Sequence, residues 1–135
     1  MIRSVSVVRS SPFQAALSDM DTHAGYLEKQ QPNFLKSWQR RFWVLENRML
    51  KYYKNDSDYL NKLPPKGVIN FEQVSVDLHF TDDLKKINLL IKGCTRTFFL
   101  RCSDPDHYKI WKTKLEHSVA KSVGKQKGLS MVSYN

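Results

Sequence analysis

No apolar run in these 135 residues approaches the ~18 needed for a helix to cross a bilayer, which excludes a helical span. Cysteine is nearly absent. Cys94 and Cys102 bracket Thr95-Arg-Thr-Phe-Phe-Leu-Arg101, a strand-like alternation, and an extended chain of that length separates them by ~26 Å. A disulfide needs Cα atoms within ~7 Å, so both are expected as reduced thiols in a cytosolic setting. The four histidines share no metal-ligand spacing with the cysteines, so neither a metal nor a cofactor is expected. Glycine is sparse too. There is no Gly-rich phosphate loop, no His-Glu-x-x-His pair and no nucleophile elbow, and Asp82-Asp83 reads as a turn, not a catalytic carboxylate pair. No enzyme is expected. The Met-Ile-Arg start has neither a signal-peptide block nor the glycine that myristoylation requires. The expectation is a cytoplasmic protein that meets a membrane from the aqueous side.

Acidic residues are also short, at 13 against 22 basic ones, for a net charge of +9. Residues 24–66 and 107–135 each carry +5, while residues 1–23 balance and 67–106 come to −1. Clustered charge of this kind attracts a polyanion: nucleic acid, an anionic membrane or a phosphorylated head group.

What is present is a β-rich chain of one-domain length, 41% hydrophobic and 12% aromatic. Seven short strands are predicted: Gly25–Lys29, Trp38–Leu45, Met49–Lys54, Gly67–Phe71, Val74–Phe80, Ile87–Lys92 and Thr95–Arg101. Turn chemistry separates them at the spacing of a sandwich or barrel, with Asn55–Pro65 as a polar loop. After Ser103-Asp-Pro-Asp106, which suits a helix start, Tyr108, Trp111, Leu115 and Val119 follow at helical spacing. One helix should therefore cap an open end of the barrel, with Trp111 as a core plug. Residues 1–23 read as a leader with a short helix over 11–20, and 122–135 as a basic flexible tail after Gly124.

The most informative stretch is Lys36-Ser-Trp-Gln-Arg-Arg-Phe-Trp-Val-Leu45. Alternation along a strand puts Gln39, Arg41, Trp43 and Leu45 on one face and Trp38, Arg40, Phe42 and Val44 on the other. On the first face a cationic end runs into an apolar one, as at a barrel mouth built for an anion.

These pieces, in this order, resemble a pleckstrin homology domain over about residues 23–121: Gly25-Tyr-Leu-Glu-Lys29, Trp-Gln-Arg-Arg-Phe-Trp-Val-Leu, Leu-Lys-Tyr-Tyr-Lys54, Lys66-Gly67-Val-Ile and a last helix carrying Trp111. The resemblance implies a mainly β fold: a seven-stranded antiparallel barrel or sandwich of two near-orthogonal sheets, four strands and three, capped by a C-terminal helix. It also implies a lipid head group at the open end. Lys29 would bind a ring phosphate, with Lys36 in the first loop, Arg41 at the floor of the site, Tyr52 donating its hydroxyl, and Lys66 nearby. Strong binders of 3-phosphorylated inositides carry a cation two residues before Arg41, where this chain has Gln39. A less demanding ligand is therefore expected: a mono- or bisphosphorylated inositide, or phosphatidic acid.

The first loop sets Phe34 and Leu35 beside Lys36, a pattern suited to interfacial insertion. Phe34→Ala with Leu35→Ala should weaken vesicle binding and leave soluble head-group binding intact; unchanged vesicle affinity would refute insertion. The expected partner is an anionic membrane lipid met by a monomer. A nucleic-acid binder is the charge-based rival, and none is expected, because most aromatics fall on core stripes. A protein-docking module of the same fold, with a protein partner and only nonspecific membrane attraction, is the other.

Overall fold

The computed structural model describes residues 22–31, 37–93 and 96–134. Seven strands and two helices follow in chain order: β1 His23–Gln30, β2 Trp38–Glu46, β3 Met49–Tyr53, α1 Asp56–Leu60, β4 Gly67–Asn70, β5 Val76–Thr81, β6 Lys86–Ile91, β7 Thr97–Arg101 and α2 Pro105–Tyr134. All seven predicted strands are present, within two residues at each end. The four-strand and three-strand groups are both there, and one seam joins them into a single antiparallel sheet, ordered β4-β3-β2-β1-β7-β6-β5. That seam is short: Glu28 opposite Arg101 and Lys29 opposite Leu100. Arg101 Nε donates to Glu28 Oε1 at 2.6 Å across it.

Period-two alternation explains the core. Leu27, Trp43, Leu45, Leu50, Ile87, Leu89 and Leu100 are all buried on the inner face. The β2–β3 connection turns at Asn47 and Arg48, with φ of 53° and 57°, the positive values a tight two-residue hairpin requires. At the other flank Asp82 fastens the β5–β6 turn to α2, accepting from Tyr108 Oη at 2.6 Å and Lys112 Nζ at 3.1 Å. These two donors hold its carboxyl below the usual range.

α2 begins where the sequence indicates. Asp104 caps it, its carboxylate accepting from His107 N at 3.0 Å. Tyr108, Trp111 and Leu115 are buried in the core, and Val119 packs against it. The helix runs to Tyr134, its backbone continuing through Gly124 and Gly128 within the span the sequence reads as a basic tail. A glycine costs a helix about 1 kcal/mol but does not by itself end it. The expected leader and its helix at 11–20 lie outside the described residues, and His23 already belongs to β1. No described helix is long and apolar enough to cross a membrane. Cys102 is a free, buried thiol whose pKa burial pushes up to about 12, which makes it inert.

The helix α1 was missed in the polar loop. Asn55 caps it, accepting from Asp58 N at 2.8 Å. Lys62, at φ 61°, closes it: Lys62 N donates to Tyr59 O and Leu63 N to Asp58 O, both at 3.0 Å, the paired bonds of a Schellman ending. Tyr59 packs on Phe42 and Tyr53 on the outer face of the sheet.

Candidate functional site

Strand direction gathers three loops, 31–37, 54–66 and 92–96, at one end of the sheet. The loop after β1 is closed at its base by Gln31 N donating to Ser37 O at 2.7 Å. α2 and the turns at 47–48 and 82–85 belong to the other end. The inner face at the loop end is a mouth whose floor is aromatic and whose walls are cationic.

Lys29 comes from β1 and is paired in register with Gln39 on β2. Its ammonium lies 5.7 Å from the Tyr52 ring centroid and 5.8 Å from that of Phe98. Burial, then the charges of Arg96 and Arg41, hold the Lys29 ammonium below the usual lysine range. Arg41 donates from Nη2 to Gln39 Oε1 at 3.0 Å and from Nη1 to Arg40 O at 3.2 Å. Gln39 thus brings no charge but aims the guanidinium beside it. Tyr52 stacks on Trp43 with centroids 4.6 Å apart, and the fully buried Trp43 forms the floor. Lys29, Gln39, Arg41 and Tyr52 are therefore brought together. Lys66 is tied to them through its backbone, its N–H donating to Tyr52 O at 2.7 Å, and its side chain is exposed. Lys36, Phe34 and Leu35 lie outside the described residues.

Sequence reasoning missed Arg96. It sits in the loop before β7, its guanidinium 4.5 Å from the Phe98 centroid. Its parity with the buried Phe98 and Leu100 puts it on the inner face of the predicted Thr95–Arg101 strand, but alternation is silent on its meeting Lys29, which the β1–β7 seam brings about. Among the described residues, Arg48, Lys51, Lys92, Arg101 and Lys112 each pair with a carboxylate. Lys29, Arg41, Lys66 and Arg96 have no such partner there. A cleft of about 350 Å³ elsewhere is lined by Tyr26, Glu28, Arg40, Arg101 and His107. Its arginines are already engaged: Arg101 by Glu28 and Arg40 by the Tyr26 ring, 3.7 Å from the guanidinium carbon.

Gly67 makes room for Tyr52. A Cβ there would fall inside the Tyr52 ring edge and 3.0 Å from Cζ, and Trp43 blocks retreat on the ring's other face. Gly67→Ala should displace Tyr52, cost about 1–3 kcal/mol of stability as overpacking does, and weaken binding at the mouth. Denaturant unfolding checks the first effect and calorimetric titration with inositol bisphosphate the second.

The family model of the PH domain matches residues 21–120. Oxysterol-binding protein 2 of Mus musculus is 32% identical over 105 residues, 77% of this chain and 11% of that protein. Pleckstrin homology domain-containing family A member 2 of Mus musculus is 30% identical over 114 residues, 81% of this chain and 26% of that one. The chain thus spans about a tenth to a quarter of these relatives' length. Among solved structures, the PH domain of human oxysterol binding protein-related protein 11 superposes with a TM-score of 0.63 at 20% identity, covering 90% of this chain and 91% of that one. The Slm1-PH domain, crystallised in complex with inositol-4-phosphate, gives 0.57 at 20% identity, covering 70% and 94%.

Proposed function

This chain belongs to the PH domain family, and from that premise we propose that it is a membrane-targeting module reading acidic phospholipid head groups at the open end of its sheet. The observation that carries this reading is the set of unpaired cations at the mouth: Lys29 beside the Tyr52 ring of the Tyr52–Trp43 stack and Arg41 close enough to depress its charge, with no carboxylate among the described residues to neutralise them. A phosphate is the group such a site lacks. Charge-assisted bonds to it are worth about 1.5–3 kcal/mol each. Gln39 in place of a third β1–β2 cation favours a mono- or bisphosphorylated inositide, or phosphatidic acid, over a trisphosphate. The Slm1-PH domain, of similar fold, was crystallised with inositol-4-phosphate, which supports this reading. Lys36 and Lys66 would add further attraction to an anionic leaflet at ~1 kcal/mol apiece, with Phe34 and Leu35 entering the interface. The protein would act from the cytoplasm, peripheral on the cytosolic face of a membrane.

The test is liposome co-sedimentation at physiological salt. Phosphatidic acid, phosphatidylserine and each phosphoinositide are compared at matched surface charge, for wild type and Arg41→Ala. Selective pelleting with one lipid, lost in the variant, supports head-group reading and names the ligand. Equal pelleting at matched charge, or none, would leave a protein-docking module with diffuse electrostatic attraction.

A further inference from the structure

We propose that Arg96 and Lys29 form a phosphomonoester subsite on the β7 side of the mouth, and that Arg96 supplies the charge that Gln39 withholds from β2. The proposal rests on the head-group reading above and fixes where in the mouth the phosphate lies.

Arg96 and Lys29 approach the same aromatic ring. The guanidinium is 4.5 Å and the ammonium 5.8 Å from the Phe98 centroid. Phe98 is 5% exposed, so it is a fixed platform. Two cations drawn to one ring with no acid among the described residues between them repel each other, and an anion would remove that repulsion. Arg96 is exposed, and exposed arginines ordinarily sample many rotamers. Here both ends are held: the ring holds the guanidinium, and the backbone carbonyl accepts from Ile91 N at 3.1 Å. A stacked guanidinium keeps its in-plane donors free for a bidentate contact with phosphate. Arg41, by contrast, already spends donors on Gln39 and on its neighbour's carbonyl. Fewer of its donors are left for a ligand than Arg96 offers. A phosphomonoester, close to dianionic at neutral pH, matches the two charges; it is offered by a phosphoinositide ring or by phosphatidic acid.

Calorimetric titration of the full chain with soluble inositol bisphosphate and with glycerol phosphate tests this, using wild type, Arg41→Ala, Arg96→Gln, Lys62→Gln and the Gln39→Arg/Arg96→Gln double variant. Arg96→Gln is expected to weaken the preferred ligand about tenfold. Lys62→Gln, an exposed lysine at the end of α1, should change it less than about twofold. Moving the charge to β2 in the double variant should recover less than about threefold, because the cation then lies on the wrong wall. Tighter binding of inositol bisphosphate identifies a phosphoinositide as the source, and comparable binding of glycerol phosphate identifies phosphatidic acid. An Arg96→Gln loss under about twofold, beside a large loss in Arg41→Ala, overturns the subsite and leaves the head-group reading standing. So does full recovery in the double variant, or an equal loss in Lys62→Gln. Failure of the wild type to bind either ligand removes both.

Discussion

Truncating Trp111 to alanine is expected to cost about 3–5 kcal/mol of stability, the range for deleting a buried tryptophan. Trp111 is 0% exposed and stands on the buried stripe of α2 with Tyr108 and Leu115. Its ring meets His23 edge-on at 4.7 Å, and its Nε1 donates to His107 Nε2 at 3.1 Å. Gly25 makes room for the His107 ring that accepts this bond: a Cβ there would come 2.6 Å from His107 Nε2, and 3.7 Å from Trp111 Nε1. The surrounding strands are tied by ladder bonds and cannot collapse into the void, so most of the cavity would persist. Domains have only about 5–15 kcal/mol in total, and at this size the loss corresponds to a fall of roughly 10–20 °C in Tm. Trp111→Phe, which keeps a ring but strips the donor from His107, should cost about 1–2 kcal/mol. Urea unfolding of both variants is the check. A loss under ~1 kcal/mol for Trp111→Ala would mean that α2 does not cap the core as its burial implies.

Arg41→Ala is expected to lower head-group affinity by one to two decades while leaving folding nearly untouched. One charge-assisted bond to phosphate is worth about 1.5–3 kcal/mol, and each 1.4 kcal/mol is a factor of ten. The stability side is argued from its partners. Among the described residues Arg41 donates only to an amide oxygen and a backbone carbonyl on its own strand. Its removal strands no buried carboxylate, and one like charge near Lys29 disappears. Arg101, whose removal would leave Glu28 alone at the β1–β7 seam, makes the contrasting case. Vesicle pelleting together with a denaturation curve separates the two effects. A variant that melts early and binds weakly in proportion would show Arg41 to be structural.

The strands were legible because their physics is local. In β2, Trp43 and Leu45 are buried on the very face that Gln39 and Arg41 share, and the same period fixes β6 and β7. The Trp111 stripe was legible for the same reason at a different period. α1 was not: Asp56-Ser-Asp-Tyr-Leu60 is too short for a period to emerge, and its stability comes from a cap and a closing turn. Nor could composition foresee a helical backbone through Gly124 and Gly128, since propensity is a weak prior. For the mouth, Lys29, Gln39, Arg41 and Tyr52 follow from strand phase plus the family resemblance. Arg96 shares the phase of Phe98 and Leu100, so its face was legible, but its meeting with Lys29 was not, because that depends on a seam two residue pairs wide that joins distant parts of the chain.

That seam has a thermodynamic corollary. It fixes Lys29 where burial and two neighbouring guanidinium groups disfavour its charge. With the folded pKa below that of the unfolded chain, the penalty applies while the ammonium is charged and fades as pH rises from the folded value through the unfolded one. The empty protein is thus folded against a standing electrostatic load. Any counter-ion seated between those groups lifts the load and stabilises the native state by mass action. Occupancy and resistance to unfolding are then one equilibrium seen from two sides, and a copy that leaves its anion becomes at that moment a less durable molecule.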